Sequence, residues 1–150
     1  MTMRILAIVL ALAAASLAVG TASPVSAAPA DTGDALCKFT YPTPDDFDVT
    51  ASSATFATPT APGTVDLTML TDAASEVSYE QRFSVTWANL DTGRSGQEQV
   101  VEQVQGPDNV LTIPDVTTEP GRVLFVLHAN NHGSDQNYTN GDCSAEYTVN

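Results

Sequence analysis

Two histidines, a cluster of aspartates, one glycine-flanked serine and two cysteines are the residues here whose types and spacing point to chemistry. His128 and His132 form H-x-x-x-H. On a helix that spacing sets two imidazoles on one face, as a zinc site requires. No Glu follows His128, so the metalloprotease pattern is incomplete. Asp135 and Asp142 nevertheless lie nearby, and His128, His132 and Asp135 form a candidate metal set. Asp45, Asp46 and Asp48 offer carboxylates to Ca²⁺, which takes about six to eight oxygen ligands, but the D-x-D-x-D-G order is missing. A divalent cation is thus the one cofactor the residues leave open. Otherwise none is expected.

Ser95 stands in Gly93-Arg94-Ser95-Gly96, which is not G-x-S-x-G. A serine nucleophile needs a base and an oxyanion hole, and a turn explains both glycines without them. No catalytic residue is assigned. Cys37 and Cys143 are not spaced as C-x-x-C and have no His or Arg beside them. In an exported chain such a pair is expected as a disulfide. It would close a loop of a little over a hundred residues.

The export expectation comes from the first 27 residues. Arg4 is the single basic charge at the start, and Ile5 to Gly20 follow as 16 uncharged residues. Val25-Ser26-Ala27 supplies small residues for a signal peptidase, with Ala30 as a second cleavage point. The run is shorter than the roughly 20 residues of a membrane span. The expectation is therefore a secreted, extracellular protein with no membrane insertion. Beyond residue 27, four basic residues face 18 acidic ones, a net charge of −14. That balance argues against nucleic acid, whose recognition draws on clustered Lys and Arg. It suits a soluble monomer that meets a protein or surface partner.

These residues must be positioned by strands. Residues 28–36 are small and polar, a flexible lead-in to a domain at 37–150. Cys37, Phe39 and Tyr41 alternate, and Pro42 and Pro44 close that strand. Val65, Leu67 and Met69 share a face. Phe83-Ser84-Val85-Thr86-Trp87 alternates strictly, with Trp87 in the core. Asn89 to Gly96 is a hairpin turn needing positive φ at Gly93 or Gly96. Val110 to Ile113 is a strand that Pro114 stops, and Val123 to Leu127 is the most apolar strand. Asn130 to Asp142 is expected as a long polar loop, followed by a last strand through Cys143, Ala145, Tyr147 and Val149. Short strands with frequent turns and no helical period predict an all-β antiparallel sandwich of about seven to nine strands.

FSVTWANLDTG and LTIPDVTTEPGRVLFVLHANNHG, within residues 83–133, resemble the fibronectin type III and immunoglobulin-like sandwiches. The resemblance covers about a third of the chain and implies a single immunoglobulin-like domain. Folds of this class host many functions. They gather recognition loops at the two ends of the sandwich. The expectation is a small secreted binding module, leaning away from an enzyme. Its candidate contacts are Asn89, Asp91 and Arg94 in one loop and Asn131, His132, Asp135 and Tyr138 in the other. The alternative is a small extracellular hydrolase or metal-binding protein using His128 and His132.

Overall fold

Alternation with a period of two runs through nearly every segment, and the chain folds accordingly. The computed structural model describes residues 33–150. The expected signal peptide (1–27) and residues 28–32 of the lead-in lie outside them. The strands are β1 (Cys37–Thr43), β2 (Asp46–Ala61), β3 (Thr64–Asp72), β4 (Tyr79–Asn89), β5 (Ser95–Val104), β6 (Asp108–Thr117), β7 (Gly121–His132) and β8 (Tyr138–Val149). They form two antiparallel four-stranded sheets, ordered β1-β2-β3-β6 and β5-β4-β7-β8. The expected all-β sandwich is the observed fold.

The core lies between the sheets. Leu67 and Met69 of β3 and Leu111 of β6 face Phe83, Val85 and Trp87 of β4 and Phe125 and Leu127 of β7, all buried. Burying one such side chain contributes about 1.5–3 kcal/mol before ordering costs. Leu124 and Val126, between the buried residues of β7, point outward and are half-buried. The apolar run Val123 to Leu127 therefore covers both faces of one central strand.

Two expectations set by prolines are corrected. Pro114 does not stop its strand, because β6 continues to Thr117 through a bulge. There Val65 pairs with Val116 and Leu67 with Ile113, so Pro114 and Asp115 together oppose Asp66. Asp115 takes a positive φ of 53°, and its N–H donates to Asp66 Oδ1 at 2.9 Å. β6 is an edge strand, where a missing N–H is tolerated. Pro59, which with Pro62 and Gly63 reads in the sequence as a loop, lies inside β2. β1 pairs with β2 no further than Thr55, so the flank of β2 at Pro59 is open and no ladder bond is lost.

The long polar loop expected over Asn130 to Asp142 is also corrected. β7 extends to His132 and β8 begins at Tyr138, leaving a connection of residues 133–137. Asn131 faces inward, and its polarity hid the continuing alternation.

The expected disulfide between Cys37 and Cys143 is present, with Cα atoms 6.1 Å apart. It joins β1, at the edge of one sheet, to β8, at the edge of the other. Beside it the rings of Phe39 and Tyr41 pack against Gly141, where a Cβ would come within 2.7 Å of either ring. Leu36, the last residue of the lead-in, donates its N–H to the Thr55 carbonyl at 2.7 Å. The opposite flank has no covalent closure. There Glu98 and Glu102 of β5 pair with Val85 and Gln81 and so point to the core side of the sheet, yet both remain exposed. Inward charges of this kind discourage a further strand from pairing.

Candidate functional site

The two candidate loops lie at opposite ends of the sandwich. The turn after β4 shares its end with the β2–β3 and β6–β7 turns. The β7–β8 connection shares its end with the β1–β2 turn.

At the first end the candidate residues bond to one another. Asn89 is 1 % exposed. Its Nδ2 donates to the carbonyls of Thr118, Glu119 and Pro120 at 3.0–3.2 Å, and its Oδ1 accepts the N–H groups of Asp91 and Thr92 at 3.0 Å. This one amide ties the β4–β5 turn to the β6–β7 turn. Asp91 accepts the Arg122 backbone N–H at 2.8 Å and its guanidinium at 2.9 and 3.1 Å. The backbone N–H of Arg122, then its side chain, hold the Asp91 carboxyl below the usual carboxylate range, and the same pairing raises Arg122. Arg94 is ion-paired with Glu119. Gly93 takes the positive φ expected of the turn, 76°.

At the second end, two of the four candidate residues come together and two do not. Asn131 is buried and bonds to Gln81 and Thr139. Asp135 is exposed in the connection. His132 and Tyr138 pair across β7 and β8, and their rings stack with centroids 4.4 Å apart and planes within 3°. Tyr138 is 64 % exposed. Asp45, in the β1–β2 turn, fastens the connection by accepting the Ser134 N–H on both carboxylate oxygens at 3.1 Å.

The candidate metal set does not assemble. His128 and His132 both belong to β7, not to a strand end and a loop, and they share its outer face. Four residues of strand separate their Cα atoms by about 13 Å, so the imidazoles cannot meet on one ion. Among the described residues no three His, Cys, Asp or Glu gather as a metal site.

The outer face of the β5-β4-β7-β8 sheet was not legible as a surface in the sequence. Its residues stand in rows across the strands. Gln103, Glu80, His132 and Tyr138 form one row, and Val101, Arg82, Asn130 and Asn140 the next. Gln99, Ser84, His128 and Asp142 follow. A shallow depression of about 370 Å³ lies between β4 and β5, lined by Ser84, Thr86, Gln97 and Gln99 among others. Amide, hydroxyl and imidazole groups dominate the face.

Ser84, His128 and Asp142 bring the residue types of a hydrolytic triad side by side. The backbone beside them offers no oxyanion hole. β4 and β7 are interior strands paired on both flanks, so their N–H groups are committed to the ladders. An oxyanion hole needs free donors aimed at one point.

Compared with known protein families, with curated proteins and with solved structures, the chain matches none.

Proposed function

We propose that this protein is a secreted, non-enzymatic binding module. It reads its partner with the outer face of the β5-β4-β7-β8 sheet where that face meets the β7–β8 connection. The observation that carries this is the exposed Tyr138 ring, held flat against His132 and flanked by Asn130 and Asn140, with Glu80 and Arg82 of β4 beyond them. A rigid aromatic bordered by amides supplies large contact area at low entropic cost, with adaptable hydrogen bonds around it. The loop at the other end is a poorer candidate, because Asn89, Asp91 and Arg94 are already engaged within the fold.

An immunoglobulin-like identity for the domain fits this reading. Counted as seven strands, β2 to β8 place the first, second and fifth in one sheet and the third, fourth, sixth and seventh in the other, with β1 added outside. That partition follows the immunoglobulin pattern, allowing for the strand that variable domains add to the second sheet. The disulfide is in keeping with an oxidising compartment.

The test is affinity capture from culture medium and cell-envelope extract, using the chain freed of residues 1–27. The native chain and Arg94→Ala, at the far end, are expected to retain one shared partner, while the His132→Ala/Tyr138→Ala double variant loses it. Equal capture by all three would remove the site from this face.

A further inference from the structure

Inside the sandwich, near the β7–β8 end, polar side chains form a layer that hydropathy would not place in a core. Thr71, Ser53 and Tyr41 come from β3, β2 and β1, and Gln81, Asn131 and Thr139 from β4, β7 and β8. Ser53 Oγ lies 2.8 Å from both Thr71 Oγ1 and Tyr41 Oη. Gln81 Nε2 donates to Tyr41 Oη at 2.9 Å and to Asn131 Oδ1 at 3.0 Å, and Asn131 Nδ2 donates to Thr139 Oγ1 at 3.2 Å. This chain of bonds crosses from one sheet to the other through six strands. Both hydrogens of the Gln81 amide are used.

Two groups of this layer are left over: Gln81 Oε1 meets no protein donor, and the Tyr79 O–H meets no protein acceptor. Gln81 is 0 % and Tyr79 1 % exposed. A buried polar atom left unbonded costs about 1–3 kcal/mol, and folded proteins satisfy nearly all of them. The two atoms belong to successive inward positions of β4, so their Cα atoms are about 7 Å apart. A molecule bonded to both at about 2.8 Å spans up to about 5.6 Å between them.

We propose that this layer holds a buried water, which donates to Gln81 Oε1 and accepts the Tyr79 O–H. The donor and acceptor pattern selects the ligand. A small cation cannot accept from the phenol, and a small anion cannot donate to the amide oxygen. Water does both, and buried waters sit where two to four polar groups converge. The Asn109 amide lies on the acceptor side of the Tyr79 phenol, with Tyr41 close by, which leaves the phenol's hydrogen for the water. The site lies beneath the end that carries His132 and Tyr138, but does not depend on what they bind.

The test is oxygen-17 relaxation dispersion on the disulfide-bonded protein, with Tyr79→Phe as the variant. The native protein should show long-lived internal water, and Tyr79→Phe should show one fewer such water and a lower thermal midpoint. No long-lived water in the native protein would overturn the proposal. So would a raised midpoint in Tyr79→Phe, the result expected when a truly orphaned hydroxyl is deleted. If the variant does not fold, a crystal structure of the native protein decides. Density within hydrogen-bonding distance of both atoms supports the site, and direct protein partners for both atoms exclude it.

Discussion

Trp87 lies directly over Gly96. The two residues pair across β4 and β5, and a Cβ on Gly96 would stand 2.7 Å from Cζ2 of the indole. The absent side chain is what lets the ring lie against the neighbouring strand. Gly96→Val should therefore push the indole from its place and destabilise the fold by about 1–3 kcal/mol, as overpacking does. Trp87 is the only tryptophan, so its fluorescence in a urea titration reports both the displacement and the lower midpoint.

Asn89 should be more costly to lose than the exposed charges around it. Asn89→Ala removes donors from three carbonyls and an acceptor from two N–H groups at a buried corner. The expected loss is about 1–3 kcal/mol, measured by chemical denaturation. Asp91→Ala, which breaks only the bonds to Arg122 and is exposed, should give a smaller loss.

Acid should weaken the same end of the sandwich. The Asp91 carboxyl titrates below its ordinary value of 3.8 in the folded chain, chiefly through the Arg122 N–H. A lowered folded-state pKa means that the contribution of Asp91 is fully present above its unfolded pKa. It is lost as pH falls through the still lower folded value. Between about pH 5 and pH 2, Asp91→Asn should lose less stability than the native chain. Carbon-13 titration of the carboxyl checks the cause: Arg122→Ala removes the guanidinium but keeps the backbone N–H, so it should return the carboxyl only part of the way toward 3.8. Because the pair is exposed, added salt should shrink the effect.

The disulfide spans 106 residues of sequence. Cross-linking a loop of that length stabilises by about 4–5 kcal/mol in the chain-entropy model. The double variant Cys37→Ser/Cys143→Ser should lose a stabilisation of that order in urea denaturation. Reduction of the native chain should lower its midpoint to match. A loss well under 1 kcal/mol would mean that the unfolded chain already holds these strands together.

What was legible in the sequence follows hydrophobic contrast. The strand through Phe83 and Trp87 alternates cleanly, because its inward positions are apolar and its outward ones polar. The same strand continues to Tyr79 through Gln81, and β7 continues to His132 through Asn131. Those inward residues are polar, and they are tolerated because they bond to each other, 50 residues apart, and to Tyr41 and Thr139. No local window contains both. Pro114 and Pro59 misled for a related reason. Whether a proline ends a strand depends on which flank is paired, and that is set by strands elsewhere in the chain. The stacking of His132 on Tyr138 needed the β7–β8 register, which the expected long loop had removed.

The position of the disulfide also has a mechanical meaning. Residues 37 and 143 bracket all but the outermost parts of the described chain, and their Cα atoms are 6.1 Å apart. A pulling force applied outside them passes from one to the other through the sulfurs. The ladders, the core and the internal polar layer between them bear almost none of it. A protein tethered and stretched in its oxidised form should lengthen only by the segments outside the two cysteines. After reduction the same force would reach β1 and β8 first, and peel them from the two sheet edges.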